Sequence, residues 1–99
     1  MIQSFRHKGL RKLFEDGNAS ASGVPPDLAD KIDLLLEGID SAESLADMDA
    51  PGLKLHPLKG NKKNELVRYA ITVTGNYRIT FEFEEIEGHA YKVDYEDYH

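Results

Sequence analysis

His56, Arg78, Tyr98 and His99, with Lys59 in a neighbouring loop, are residue types suited to acid–base chemistry on an anionic substrate. Histidine titrates near neutrality, so His56 and His99 can take up or release a proton. Lys59 and Arg78 can offset negative charge that builds up in a transition state. The Tyr98 ring can stack on a flat partner. Each has a plainer reading. A surface histidine is commonly just solvated. Arg78 could pair with Glu82 or Asp94 across a strand. Tyr98 could pack on the core, and Lys59 to Lys63 could be a solubilising loop. Chemistry requires that the fold bring the set to one face.

The element best placed to do so is a β-hairpin over Tyr69–Phe83. Ile71 and Val73 alternate with Ala70, Thr72 and Thr74, and Tyr77, Ile79, Phe81 and Phe83 alternate with Arg78, Thr80 and Glu82. This period of two marks half-buried strands. Gly75 and Asn76, which tolerate positive φ, supply the turn. Leu53-Lys54-Leu55-His56 also alternates, as does a last strand over Ala90–Tyr95. With Leu53 and Leu55 facing inward, Lys54 and His56 face away; with Ile79 and Phe81 inward, Arg78 faces away. With Tyr91, Val93 and Tyr95 inward, Tyr98 faces away and His99 inward, next to the open face.

The remaining elements cover the apolar face. Ile2–Phe5 can form a short edge strand. Leu10, Leu13 and Phe14 recur at helical spacing up to Gly17. The longest helix is expected over about Pro26–Ile39, with an apolar stripe of Leu28, Ile32, Leu35, Leu36 and Ile39. Asp40 and Glu43 have capping-box spacing before a short helical turn at Ala42–Met48. Two helices followed by four strands give an α+β fold, with the helices packed on one face of a mainly antiparallel sheet, in one domain spanning 1–99.

The net charge of −6 argues against nucleic acid, but the charge is segregated. Lys54, Lys59, Lys62, Lys63 and Arg68 are opposed only by Glu65 within Leu53–Arg68. Arg6, Lys8, Arg11 and Lys12 form a second basic group, and the acids gather at Asp27–Asp49 and Glu82–Asp97. Such a local patch can bind phosphate whatever the total charge. There is no cysteine, and the four histidines show no His-Glu-x-x-His and no close pair, so no metal site or cofactor is expected. His7 and His89 are read as structural. The first residues lack the apolar core of a signal peptide and no apolar run is long enough to span a bilayer, so a cytoplasmic protein without membrane contact is expected.

Four stretches carry a family resemblance: Ile2-Gln-Ser-Phe-Arg-His-Lys-Gly-Leu10, Leu55-His-Pro-Leu-Lys-Gly60, Gly75-Asn-Tyr-Arg-Ile-Thr-Phe81 and Asp94-Tyr-Glu-Asp-Tyr-His99. Together, and in this order, they resemble the HigB toxins of toxin–antitoxin systems, in the RelE/ParE superfamily. The resemblance implies a RelE-like fold and a ribosome-dependent endonuclease that cuts mRNA in the ribosomal 30S A site. It also implies a HigA-like helix-turn-helix antitoxin, with operator DNA contacted only through that partner. The family's functional positions fall on His56, Lys59, Arg78, Asp97, Tyr98 and His99, with Asp97 orienting or sharing the acid–base role. Two other functions fit the same fold: poisoning of DNA gyrase, and a non-catalytic RNA-binding or partner-binding module.

Overall fold

A computed structural model describes residues 1–17, 23–58 and 66–97. It contains two α-helices, α1 (Lys8–Asp16) and α2 (Ala29–Ser41), and four strands: β1 (His56–Pro57), β2 (Arg68–Thr72), β3 (Tyr77–Glu84) and β4 (His89–Asp97). The strands form one antiparallel sheet in the order β1-β2-β3-β4. Residues 2 to 5 run alongside β4 in the parallel sense, through bridges of Ile2 with Ala90 and Phe5 with Val93. Among the described residues no helix is long and apolar enough to cross a membrane.

Local chemistry explains the helix ends. The His7 ring Nδ1 accepts the Leu10 N–H at 3.0 Å and caps α1, and Gly17 closes it in the left-handed conformation, φ 68°. Pro25 and Pro26 lead into a 3₁₀ turn, Pro26–Leu28, and α2 begins only after it. The expected capping role of Asp40 is not realised: its carboxylate accepts the Ile2 N–H at 2.8 Å. Ser44 begins the next 3₁₀ turn, Leu45–Met48, where Asp47 accepts the N–H groups of Glu43 and Ser44.

Leu10 and Leu13 of α1, Ile32, Leu36 and Ile39 of α2, and Ile71, Val73, Ile79, Phe81, Phe83, Ala90 and Val93 of the sheet make one buried cluster. Each large side chain so buried contributes about 1.5–3 kcal/mol. The described helices therefore cover one face of the sheet; the face they leave open still buries Ala70 and Thr80 at its centre.

Three further expectations are corrected. Leu53 to Leu55 is not a strand: Pro51–Leu53 is a 3₁₀ turn begun by proline, Lys54 takes a left-handed backbone with φ 50°, and the strand begins only at His56. The burial expected of alternation survives nonetheless, because Leu53 and Leu55 pack on the core while Lys54 and His56 stay exposed. The hairpin turn uses no left-handed residue at Gly75 or Asn76. Tyr91 does not face the helices. A β-bulge at Lys92 (φ 51°) sets two residues of β4 against Phe81, so Tyr91 stands opposite Glu82 while Val93 and Tyr95 point to the core side.

Candidate functional site

The antiparallel registers define the open face, because directly opposite residues share a side. One row across the sheet is His56, Ala70, Thr80 and Asp94; the next is Thr72, Arg78 and Glu96; the row on the other side is Arg68, Glu82 and Tyr91. His56 and Arg78 thus both lie opposite the helices, as expected for Arg78 from the hairpin alternation and for His56 from the alternation of Leu53 to His56.

His56 is exposed at the sheet's edge, and its Nδ1 is 2.9 Å from the Lys54 carbonyl oxygen. A carbonyl can only accept, so Nδ1 carries the proton in the neutral ring and Nε2 keeps its lone pair. The left-handed backbone of Lys54 is what turns that carbonyl toward the ring's own residue, two positions on. Lys54 itself is exposed.

Arg78 is half-buried. Its Nη1 donates to the carbonyls of Thr74 at 2.6 Å, Tyr77 at 3.0 Å and Gly75 at 3.2 Å. The charge therefore sits at the hairpin turn. The Thr72 hydroxyl, opposite Arg78, is buried without a hydrogen-bond partner among the described residues.

Arg68 is a second half-buried cation of the open face. Its Nη2 donates to the Thr80 hydroxyl at 2.8 Å and to the Lys92 carbonyl at 2.9 Å, and its Nη1 lies 3.5 Å from Glu82. Burial first, and then the charge of Arg6, push the Arg68 pKa below its ordinary value. Lys92 Nζ is 3.7 Å from the same Glu82 carboxylate. Sequence periodicity does not single out Lys92, Glu82 or Tyr91, since it carries no sign of the bulge that groups them.

Asp97 ends β4 opposite Tyr77, exposed, in the register of Tyr77 and Tyr95 rather than of Arg78. It stands three strand spacings, about 14 Å, from the line of β1, and farther from His56, whose row meets β4 at Asp94. The open face therefore brings His56, Arg68 and Arg78 together, whereas Asp97 marks the far edge from which the chain continues. Lys59, Lys62, Lys63, Tyr98 and His99 lie outside the described residues. His7 and His89 are structural, the first as a helix cap and the second packed edge-on against Tyr91, 3.6 Å from Glu87. Among the described residues no group of three His, Cys, Asp or Glu side chains is placed to hold a metal ion.

Comparison with known proteins adds two findings. The family model described as the RelE-like toxin of type II toxin–antitoxin system HigB matches residues 3–99. Endoribonuclease HigB of Proteus vulgaris is 48% identical over 99 residues, covering 100% of both chains.

Proposed function

The chain belongs to the HigB family of RelE-like toxins of type II toxin–antitoxin systems, and from that membership we propose that it is an endoribonuclease that inhibits translation by cutting mRNA in the ribosomal 30S A site. The whole chain acts as one toxin domain. Its partners are the ribosome, mRNA and a HigA-like helix-turn-helix antitoxin, through which alone it reaches operator DNA. It works in the cytoplasm.

The observation that carries the reading is the state of His56. An exposed imidazole on the sheet face away from the described helices, its Nδ1–H engaged by the Lys54 carbonyl, offers Nε2 as a base. Nε2 removes the proton from a ribose 2′-hydroxyl, and that oxygen attacks the adjacent phosphorus. The bond from phosphorus to the 5′-oxygen breaks, and His99, oriented by Asp97 or sharing the role with it, protonates the leaving oxygen. The products are a 2′,3′-cyclic phosphate and a 5′-hydroxyl. Lys59 and Arg78 offset the charge on the equatorial oxygens, and Tyr98 stacks on an unpaired base to hold the backbone in line. Lys54, Lys62, Lys63 and Arg68 hold flanking phosphates. The scheme routes no step through a metal ion.

The test is His56→Ala. Growth arrest and mRNA cuts mapped by primer extension should disappear, with a rate loss of about 10²–10⁴-fold, while the protein still sediments with ribosomes. Undiminished toxicity would instead favour gyrase poisoning or a non-catalytic binding module.

A further inference from the structure

On the open face, Arg68 is fixed by two short bonds, both through Nη2, to Thr80 and to the Lys92 carbonyl. Lys92 is fixed by the bulge, where its left-handed backbone is a strained conformation for a residue with a Cβ, and its N–H donates to the Ser4 hydroxyl at 2.9 Å. Two cationic groups, Arg68 Nη1 and Lys92 Nζ, thereby converge on one position. Glu82 Oε2 fills it, at 3.5 and 3.7 Å. The Lys92 contact is longer than a hydrogen bond, and the Arg68 contact is at its outer limit. The Arg68 guanidinium is thus held more tightly by Thr80 and the Lys92 carbonyl than by Glu82, whereas for Lys92 it is the backbone that the fold fixes and the ammonium that reaches to Glu82. Arg6 adds a third positive charge, near enough to lower the Arg68 pKa, and the Tyr91 ring stands opposite Glu82 across the strand pair.

We propose that Arg68 and Lys92 form a phosphate-binding subsite for the RNA strand, in which the Glu82 carboxylate holds the place of the phosphate until RNA arrives. The inference rests on the endoribonuclease reading above and extends it. Arg68 is the diagonal neighbour of His56 across β1 and β2, about 7–8 Å away between backbones. A strand that runs from His56 across the sheet toward β4 passes over this pair. An RNA phosphodiester carries the same single negative charge as the carboxylate, but its two non-bridging oxygens can meet both cations at once, where Glu82 meets them with Oε2 alone, and Lys92, with its side chain 55% exposed, is open to it.

The probe is a fluorescent single-stranded RNA with 2′-O-methyl riboses, which lacks the attacking hydroxyl, titrated with the full chain by anisotropy over a range of salt. Lys92→Asn removes the charge but suits the left-handed backbone. It should weaken binding by about threefold to tenfold and lower the salt slope by about one. Glu82→Gln should tighten binding by a similar factor, which a merely structural ion pair would not do. Lys12→Ala on α1 should change nothing. The proposal is overturned if the chain does not bind the probe, or if Lys92→Asn binds with the parent's affinity and salt slope. It is equally overturned by a folded Glu82→Gln that binds no tighter. Cleavage of mRNA on ribosomes is scored separately. A chain that cuts mRNA with Lys92→Asn unaffected loses the subsite and keeps the nuclease reading. A chain that cuts nothing, yet shows both binding shifts, loses the nuclease reading and keeps the subsite.

Discussion

The Arg78 guanidinium donates to the carbonyl oxygen of Thr74, four residues earlier, at 2.6 Å. The cation proposed to face the scissile phosphate is therefore also the clasp of the β2–β3 turn, which has no left-handed residue at Gly75 or Asn76 to tighten it. Arg78→Ala should lower stability by about 2–3 kcal/mol, since hydrogen bonds from a charged donor are worth about 1.5–3. Arg78→Lys should recover part of this at most, because an ammonium lacks the reach of the guanidinium fork. Urea unfolding of both variants is the measurement. An Arg78→Ala protein as stable as the parent would leave the side chain with a substrate role alone.

How much of this was legible in the chain depends on the physical source of each feature. Ile71, Val73, Ile79, Phe81 and Phe83 alternate because one sheet face is buried and the other is not, and that difference is written in residue type. Gly17 marks the end of α1 because its backbone needs positive φ. The exposure of His56 followed from Leu55 beside it. The bulge at Lys92 left no such mark, as lysine there adopts a conformation that its type does not favour. One inserted residue moved Tyr91 to the open face and created the Arg68–Glu82–Lys92 group. Arg78 was legible as an open-face cation but not as a turn clasp, because a long side chain can fold back on its own turn without any change in pattern.

Gly88 and Gly38 should respond to alanine in opposite ways. Gly88 has φ +73°, and a Cβ there would lie 3.2 Å from the Ala42 carbonyl oxygen and the Glu43 Cα, backbone atoms that cannot swing aside. Gly88→Ala should cost about 2–3 kcal/mol from left-handed strain and crowding together. Gly38 lies inside α2 with nothing within 4 Å of such a Cβ, and Gly38→Ala should gain about 0.5–1 kcal/mol. Thermal melts of the pair check both signs.

Tyr95 stacks on Tyr77 with ring centroids 5.1 Å apart, and its hydroxyl is buried with no hydrogen-bond partner among the described residues. Burial first, then Tyr77, Asp97 and Asp27, push its pKa up to about 12. In the unfolded chain the phenol titrates near pH 10. The folded state thus favours the neutral form: the contribution is complete below about pH 10 and is lost as pH rises toward 12. Tyr95→Phe should gain about 1 kcal/mol at neutral pH by removing the orphaned hydroxyl. It should also lose less stability than the parent between about pH 10 and 12. Urea titrations across that range separate the two effects.

Removal of Tyr98 and His99 tests the acid side of the proposed reaction. Among the described residues the last pairing of β4 joins Asp97 to Tyr77, and Val93 and Tyr95 hold that strand to the core and the Tyr77 stack. The truncated chain should therefore melt close to the parent. Activity should nevertheless vanish, because a stacking ring and a proton donor are lost together, and an acid or base alone is worth about 10²–10⁴-fold. Tyr98→Ala and His99→Ala divide the loss. Tyr98→Ala should weaken placement of the RNA, whereas His99→Ala should slow the chemical step and remove one limb of its pH profile. Growth arrest, primer-extension mapping of mRNA cuts and thermal melts are measured on all three proteins. A folded truncation that still arrests growth and cuts mRNA would move the acid off the chain's last residues and onto the open face itself.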